Sequence, residues 1–192
     1  MPSLGGSVGL VFAFYHLALN RQERTLRFLE HELSENLPAL IASGEGEHQE
    51  FKASLRWDFR QNKLNRALES VIAKAITGFM NHRGGSLLIG VTDDGEISGL
   101  EFDYATLKNK NRDGFELFVM NLVTTRLGAH YCSNVHCLFY KIEGKDVCRV
   151  VIESSAEPVY LHEEKVSKYF LRTGNGTREL DAREAISHIS SQ

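Results

Sequence analysis

Between residues 69 and 103 the chain reads ESVIAKAITGFMNHRGGSLLIGVTDDGEISGLEFD, and no other stretch restricts the fold as tightly. Leu64, Ala67, Leu68, Val71, Ile72, Ala75, Ile76, Phe79 and Met80 recur at helical spacing, which predicts a helix over residues 63–81 with one apolar stripe. Gly84-Gly85 then permits a tight reversal. Residues 86–91 (SLLIGV) are continuously apolar, the pattern of a central strand covered on both faces. Asp94-Gly95 is a hairpin signal leading to a short strand over residues 96–101. This order places carboxylates at the end of a buried strand, beside a glycine turn.

The flanking segments extend the pattern. Residues 50–57 alternate: Phe51, Ala53, Leu55 and Trp57 fall on one face, Glu50, Lys52, Ser54 and Arg56 on the other, as in a half-buried strand. A second amphipathic helix is predicted over residues 114–127, capped by Asp113. Strands over residues 134–142 and 146–153 flank a hairpin at Glu143-Gly144-Lys145. A short strand over residues 168–172 precedes Gly174-Asn175-Gly176, and a capping box at Asp181 and Glu184 opens the last helix. The fold class is α+β, a mixed sheet with flanking helices. The N-terminal part is expected to be separate: residues 1–43 a helical connector, residues 44–192 the domain.

In the connector, residues 20–41 carry an apolar stripe that Pro38 interrupts or ends. Residues 8–19 (VGLVFAFYHLAL) are apolar but shorter than the roughly 20 residues of a spanning helix. Two readings stand: a hydrophobic helix that packs on protein, or a partial membrane contact followed by a charged cytoplasmic flank. The expected location is cytoplasmic, free or tethered on the cytoplasmic side.

The formal net charge of −3 gives no whole-chain argument for nucleic acid, so such a partner needs a local basic surface. Three such clusters exist: Arg56, Arg60, Lys63 and Arg66; Lys108, Lys110 and Arg112; Lys165, Lys168, Arg172 and Arg178. With Lys52 they could line a groove, or they could be solvated charge balanced by the 25 acidic residues. The turn around Asn175 could cradle a phosphate between Arg172 and Arg178, or be a plain surface turn.

Other chemistries find less support. No P-loop and no nucleophile elbow occurs. His130, Cys132, His136, Cys137 and Cys148 lack the paired spacing of a zinc site, and His136 and Cys137 point to opposite faces of one strand, so no zinc is expected. Glu45, Glu50 and Asp93 could converge on a Mg²⁺ or Mn²⁺ ion if the strands carrying them are neighbours; otherwise they are ordinary exposed acids.

Several of these residues form an ordered set: Glu50-Phe51-Lys52-x-Ser54, then Ala75-Ile76-x-x-Phe79-x-Asn81-x-x-Gly84-Gly85, then Leu87-Leu88-Ile89-Gly90-Val91-x-Asp93-Asp94-Gly95, then Gly99-Leu100. Pro158-Val159-Tyr160 and the run from Tyr169 to Arg178 complete it. Together they resemble the Schlafen/AlbA-type nucleic-acid-binding domain over about residues 45–190. The resemblance implies a module binding DNA or RNA and a basic position at Lys52; joined to the charge reading, it makes Lys52, Arg56, Arg172, Asn175 and Arg178 the candidate phosphate contacts. It also implies an alternative, a metal-dependent endoribonuclease acting on structured RNA through Glu45, Glu50 and Asp93 with Mg²⁺ or Mn²⁺. A nucleotide-binding regulatory domain is the third reading. The animal nucleases of the family use two pseudo-repeated lobes, so a second copy of this chain is the expected substitute for the missing lobe.

Overall fold

A computed structural model of the chain describes residues 36–163 and 166–191. The chain divides into one unit of residues 1–40 and another of residues 41–192. The apolar segment 8–19 and most of the helix expected over residues 20–41 lie outside the described residues. Among those described, no helix is long and apolar enough to cross a membrane. Helix α1, Leu37–Ser43, carries Pro38 in its first turn. Pro38 sits where its missing N–H has no intrahelical partner to lose, and what precedes Asn36 lies outside the described residues.

The main sheet is mixed, with strands β1 (Gln49–Lys52), β4 (Gly85–Ile89), β5 (Val135–Ile142) and β6 (Lys145–Ile152) in the order β1-β4-β6-β5. Strand β1 runs parallel to β4, and the other pairs are antiparallel. The apolar run predicts a central strand, and β4 is one: Leu87, Leu88 and Ile89 are fully buried. Helices α2 (Ala67–Met80) and α4 (Arg112–Arg126) supply Ile72, Ile76, Phe79, Phe115, Val119 and Val123 to the core that β4 and β6 complete. Burying each such side chain contributes about 1.5–3 kcal/mol. Helix α2 also packs on a three-stranded antiparallel sheet of β7 (Tyr160–Glu163), β8 (Val166–Thr173) and β9 (Gly176–Leu180). Gly84 joins α2 to β4 at φ 74°, where a Cβ would come within 2.5 Å of the Ile152 carbonyl oxygen. No other residue type fits there without moving the sheet.

Several expectations need correction. The strand predicted over residues 50–57 stops at Lys52; Trp57–Asp58 (β2) instead pairs with Lys63–Leu64 (β3) in a separate hairpin. The cause is Asp103, on the short helix α3 (Glu101–Ala105), whose carboxylate takes the Leu55, Arg56 and Trp57 backbone N–H groups at 2.8, 2.9 and 3.1 Å. Those donors are then lost to any ladder. The strand expected over residues 96–101 shrinks to one bridge, Val91 to Ile97, because α3 begins at Glu101. The N-cap of α4 is Asn111, bonded to the Gly114 N–H at 2.9 Å, and not Asp113. Gly174-Asn175 turns β8 directly into β9, with Gly174 at φ 60°, so the segment after it is a strand. The last helix, α5 (Ala182–Ile189), carries the expected capping box, reciprocal between Asp181 and Glu184.

Candidate functional site

Strand β1 and the loop before it bring two of the three expected carboxylates together. Glu45 and Glu50 both approach Lys52, with Nζ to carboxylate oxygen distances of 3.8 and 2.9 Å. Glu45 also accepts the Phe51 N–H at 2.7 Å, which fixes it to the start of the strand. The second oxygen of Glu50 is taken by Arg172, which reaches across from β8. The Arg172 side chain is fully buried, and it further donates to the Gly46 and Gln49 carbonyls at 2.6 and 2.9 Å. Its guanidinium lies 4.8 Å from the centre of the Phe79 ring. Arg172 thus ties the second sheet to the first strand of the main sheet and to α2, with its side chain closed off from water.

Asp93 stays apart from this cluster, exposed in the turn after β4. Among the described residues no three His, Cys, Asp or Glu side chains are grouped to hold a metal ion. The donor set does not suit Mg²⁺ or Mn²⁺ either: both oxygens of Glu50 face cations, and Glu45 is bonded to backbone. The acids are neutralised by Lys52 and Arg172 where a divalent ion would have to sit, so no hydrolytic step through a metal follows from this arrangement.

The expected phosphate contacts divide by exposure. Arg56 and Arg172 are buried; Arg56 pairs with Glu69 at 3.0 Å and lies over the Phe118 ring at 4.6 Å. Lys52 is half-buried at the rim of the glutamate pair. Asn175 and Arg178 are on the surface, with Arg178 3.2 Å from Glu184. Arg60, Lys63 and Arg66, around the β2–β3 hairpin, and Lys108 and Lys110, before α4, are also exposed. Among the described residues none of these five has an ion-pair partner.

The hairpin that carries three of them is held by its own acid. Asp58 accepts the Arg60 and Gln61 backbone N–H groups, each at 3.0 Å, and the Asn65 amide at 3.1 Å. The Gln61 N–H, then Asn65, hold its carboxyl below the usual carboxylate range. A carboxyl lowered in the folded state contributes order above its unfolded value and loses it as pH falls through the folded one. Amide protection at Arg60 and Gln61, corrected for intrinsic exchange, is therefore expected to drop on acidification through that range. Protection that stays level across it would contradict this role for Asp58.

Two structural residues escaped the sequence reading. Asp103 is buried beneath the hairpin's entry, and burial pushes its carboxyl up against the pull of three backbone donors and Arg56. Asn81, at the end of α2, donates to the Val159 and Phe170 carbonyls and accepts the Val159 N–H, all at 2.8 Å. Its place inside the motif before Gly84-Gly85 was the available signal. Nothing local marks Asp103, an acid just past the strand expected over residues 96–101.

Compared with known proteins, the chain matches the family described as Schlafen, AlbA_2 over residues 45–181. Its fold is similar to the crystal structure of the DIP2311 protein from Corynebacterium diphtheriae, with a TM-score of 0.52 and 20% identity. That match covers 76% of this chain and 27% of the other, so the chain spans little more than a quarter of that protein. A looser likeness joins it to the N-terminal domain of an ATP-dependent DNA helicase RecG-related protein from Nitrosomonas europaea, known from a solution NMR structure. There the TM-score is 0.38 and the identity 16%, over 54% of this chain and 69% of the other, and it says nothing of this chain's fold or function.

Proposed function

We propose, from the premise that the chain belongs to the Schlafen, AlbA_2 family, that it is a nucleic-acid-binding module whose phosphate contacts come from its outer cations. The observation that carries this reading is the set of exposed cations at Arg60, Arg66, Lys108 and Lys110, none with an ion-pair partner among the described residues, together with exposed Lys63, which stands across the hairpin from Asp58. A cation already bonded to a carboxylate neutralises little further charge; one that faces water alone can replace a counterion on a phosphate. Asn175, on the surface, can add a hydrogen bond to a phosphate, while Arg178 and Lys52 are already paired with Glu184 and with Glu45 and Glu50 and add less. Arg56 and Arg172 are positioning residues in this scheme, holding the framework beneath.

Titration of the full chain with labelled DNA and RNA, at several salt concentrations, tests the proposal. Affinity is expected to fall as salt rises, each phosphate contact adding about 0.7–0.9 to the slope of log K against log salt. In the triple variant Arg60→Gln/Lys63→Gln/Arg66→Gln the slope is expected to shrink by about 2–3. Absence of binding to any DNA or RNA at low salt would overturn the reading. Thermal stabilisation by ATP or GTP in the same protein would then favour the nucleotide-binding alternative.

A further inference from the structure

Three aromatic rings lie together beside the outer cations and take no part in the main core. Trp57 (β2), Phe59 (the hairpin loop) and Phe102 (α3) are absent from the core cluster that claims the buried aromatics Phe79, Phe115 and Phe170. They pack on one another instead. The Trp57 and Phe102 rings stack with centroids 5.3 Å apart and planes 22° from parallel. Phe59 meets Phe102 edge-on, at 5.4 Å and 80°. Phe102 remains 46% exposed and Phe59 42%, and Leu64, paired with Trp57 across the hairpin, is 37% exposed. Side chains of this size leave water readily, so a contiguous exposed group of them marks a contact surface.

The charges around the rings indicate what the surface contacts. Arg60, next to Phe59 in the hairpin loop, and Arg66, just after the hairpin, are exposed and have no ion-pair partner among the described residues, whereas Lys63 stands across the ladder from Asp58 and helps to lower its carboxyl. The acid inside the hairpin, Asp58, accepts from Arg60 N–H, Gln61 N–H and Asn65, and with its cross-strand neighbour Lys63 it occupies the strand position next to the Trp57–Leu64 pair, which the pleat assigns to the other face. Glu101, next to Phe102, is turned toward the Asp146 N–H, 3.4 Å away. The patch therefore offers flat apolar rings with two exposed cations, Arg60 and Arg66, close by in the chain. A partner that matches both must present anionic groups and planar apolar faces at close spacing. A single-stranded nucleic acid does so; a duplex hides its base faces in its own stack.

We propose that the Trp57–Phe59–Phe102 cluster is a stacking platform for unpaired bases, with Arg60 and Arg66 holding the phosphates of the same strand. This rests on the nucleic-acid reading above and narrows it to single strands or unpaired loops. Nothing in the motifs around β1, β4 or β8 contributes to the platform, which stands on the hairpin and α3.

Trp57 is the chain's one tryptophan, so its emission reports on the platform without any substitution. Titrating the full chain with oligothymidylate or oligouridylate is expected to quench that emission, and a blunt DNA duplex to leave it nearly unchanged. Phe102→Ala, its fold checked by circular dichroism, is expected to weaken single-strand binding by about tenfold, the scale of one lost base stack. Single-strand binding at wild-type affinity in Phe102→Ala, with no quenching of Trp57 in the unaltered protein, would overturn the platform. Salt-dependent binding to the duplex would survive that result and keep the broader function. Emission that changes with protein concentration but not with oligonucleotide would also overturn it, in favour of a face between copies of the chain.

Discussion

Replacing Arg172 by methionine is expected to lower the melting temperature by roughly 10 °C or more. The methionine keeps most of the volume above Phe79 but removes every donor. Glu50 then keeps only Lys52, and the Gly46 and Gln49 carbonyls lose their bonds. Removing one partner of a buried ion pair costs about 3–5 kcal/mol. For a domain of this size each kcal/mol moves the midpoint by about 2–4 °C. Lysine at the same position should recover only part of the loss, since one ammonium cannot reach the three acceptors that the guanidinium fork spans. Thermal denaturation by circular dichroism measures both variants. A melting point within about 2 °C of the unaltered protein, less than 1 kcal/mol on the same scale, would mean that Arg172 is free for another role.

Asp103→Ala is expected to be comparably damaging, for a different reason. Its carboxylate is the acceptor for three consecutive backbone N–H groups, and two of these, at Leu55 and Arg56, are buried. An unsatisfied buried donor costs about 1–3 kcal/mol, so the sum reaches about 3 kcal/mol or more. Asp103→Asn separates hydrogen bonding from charge. Its amide oxygen can serve Arg56 and Trp57, but its NH₂ group would face the Leu55 N–H, and the variant should fall between alanine and the unaltered protein. The loss should also be local first. The β2–β3 hairpin and the Trp57–Phe102 stack sit directly on these bonds, so Trp57 emission should change before the core of β4 and α2 does. Equal stability of all three proteins in denaturant titration would remove Asp103 from this account.

The elements that the sequence predicts well are those whose signal is local. Helix α2, strand β4, the β5–β6 hairpin and the capped helix α5 depend on periodicity, a glycine pair or a cap, all within a few residues. The failures come from distant partners. The alternation over residues 50–57 is a sound strand pattern, yet Asp103, 46–48 residues away, captures the backbone first. Arg172 reads as a surface cation because nothing near it is acidic; its partner Glu50 lies 122 residues earlier. The family motifs include Lys52 and Arg172 without telling which way either one faces. Asp93 fails to join Glu45 and Glu50 for a related reason: β1 and β4 are neighbours, the condition that the sequence leaves open, but Asp93 lies past the end of β4 while Glu50 pairs with Leu87 in its middle. The ring cluster stayed hidden because Trp57 was read as a core position of a longer strand.

The central claim is that the outer hairpin, and not the buried Glu50–Arg172 cluster, meets the nucleic acid. The most direct test is a salt titration of single-strand binding with the unaltered chain and with Arg60→Gln/Lys63→Gln/Arg66→Gln, whose three sites are exposed and outside the core. The account predicts a folded variant with weaker binding and a salt slope smaller by about 2–3. A variant that binds with the unaltered affinity and slope would contradict it.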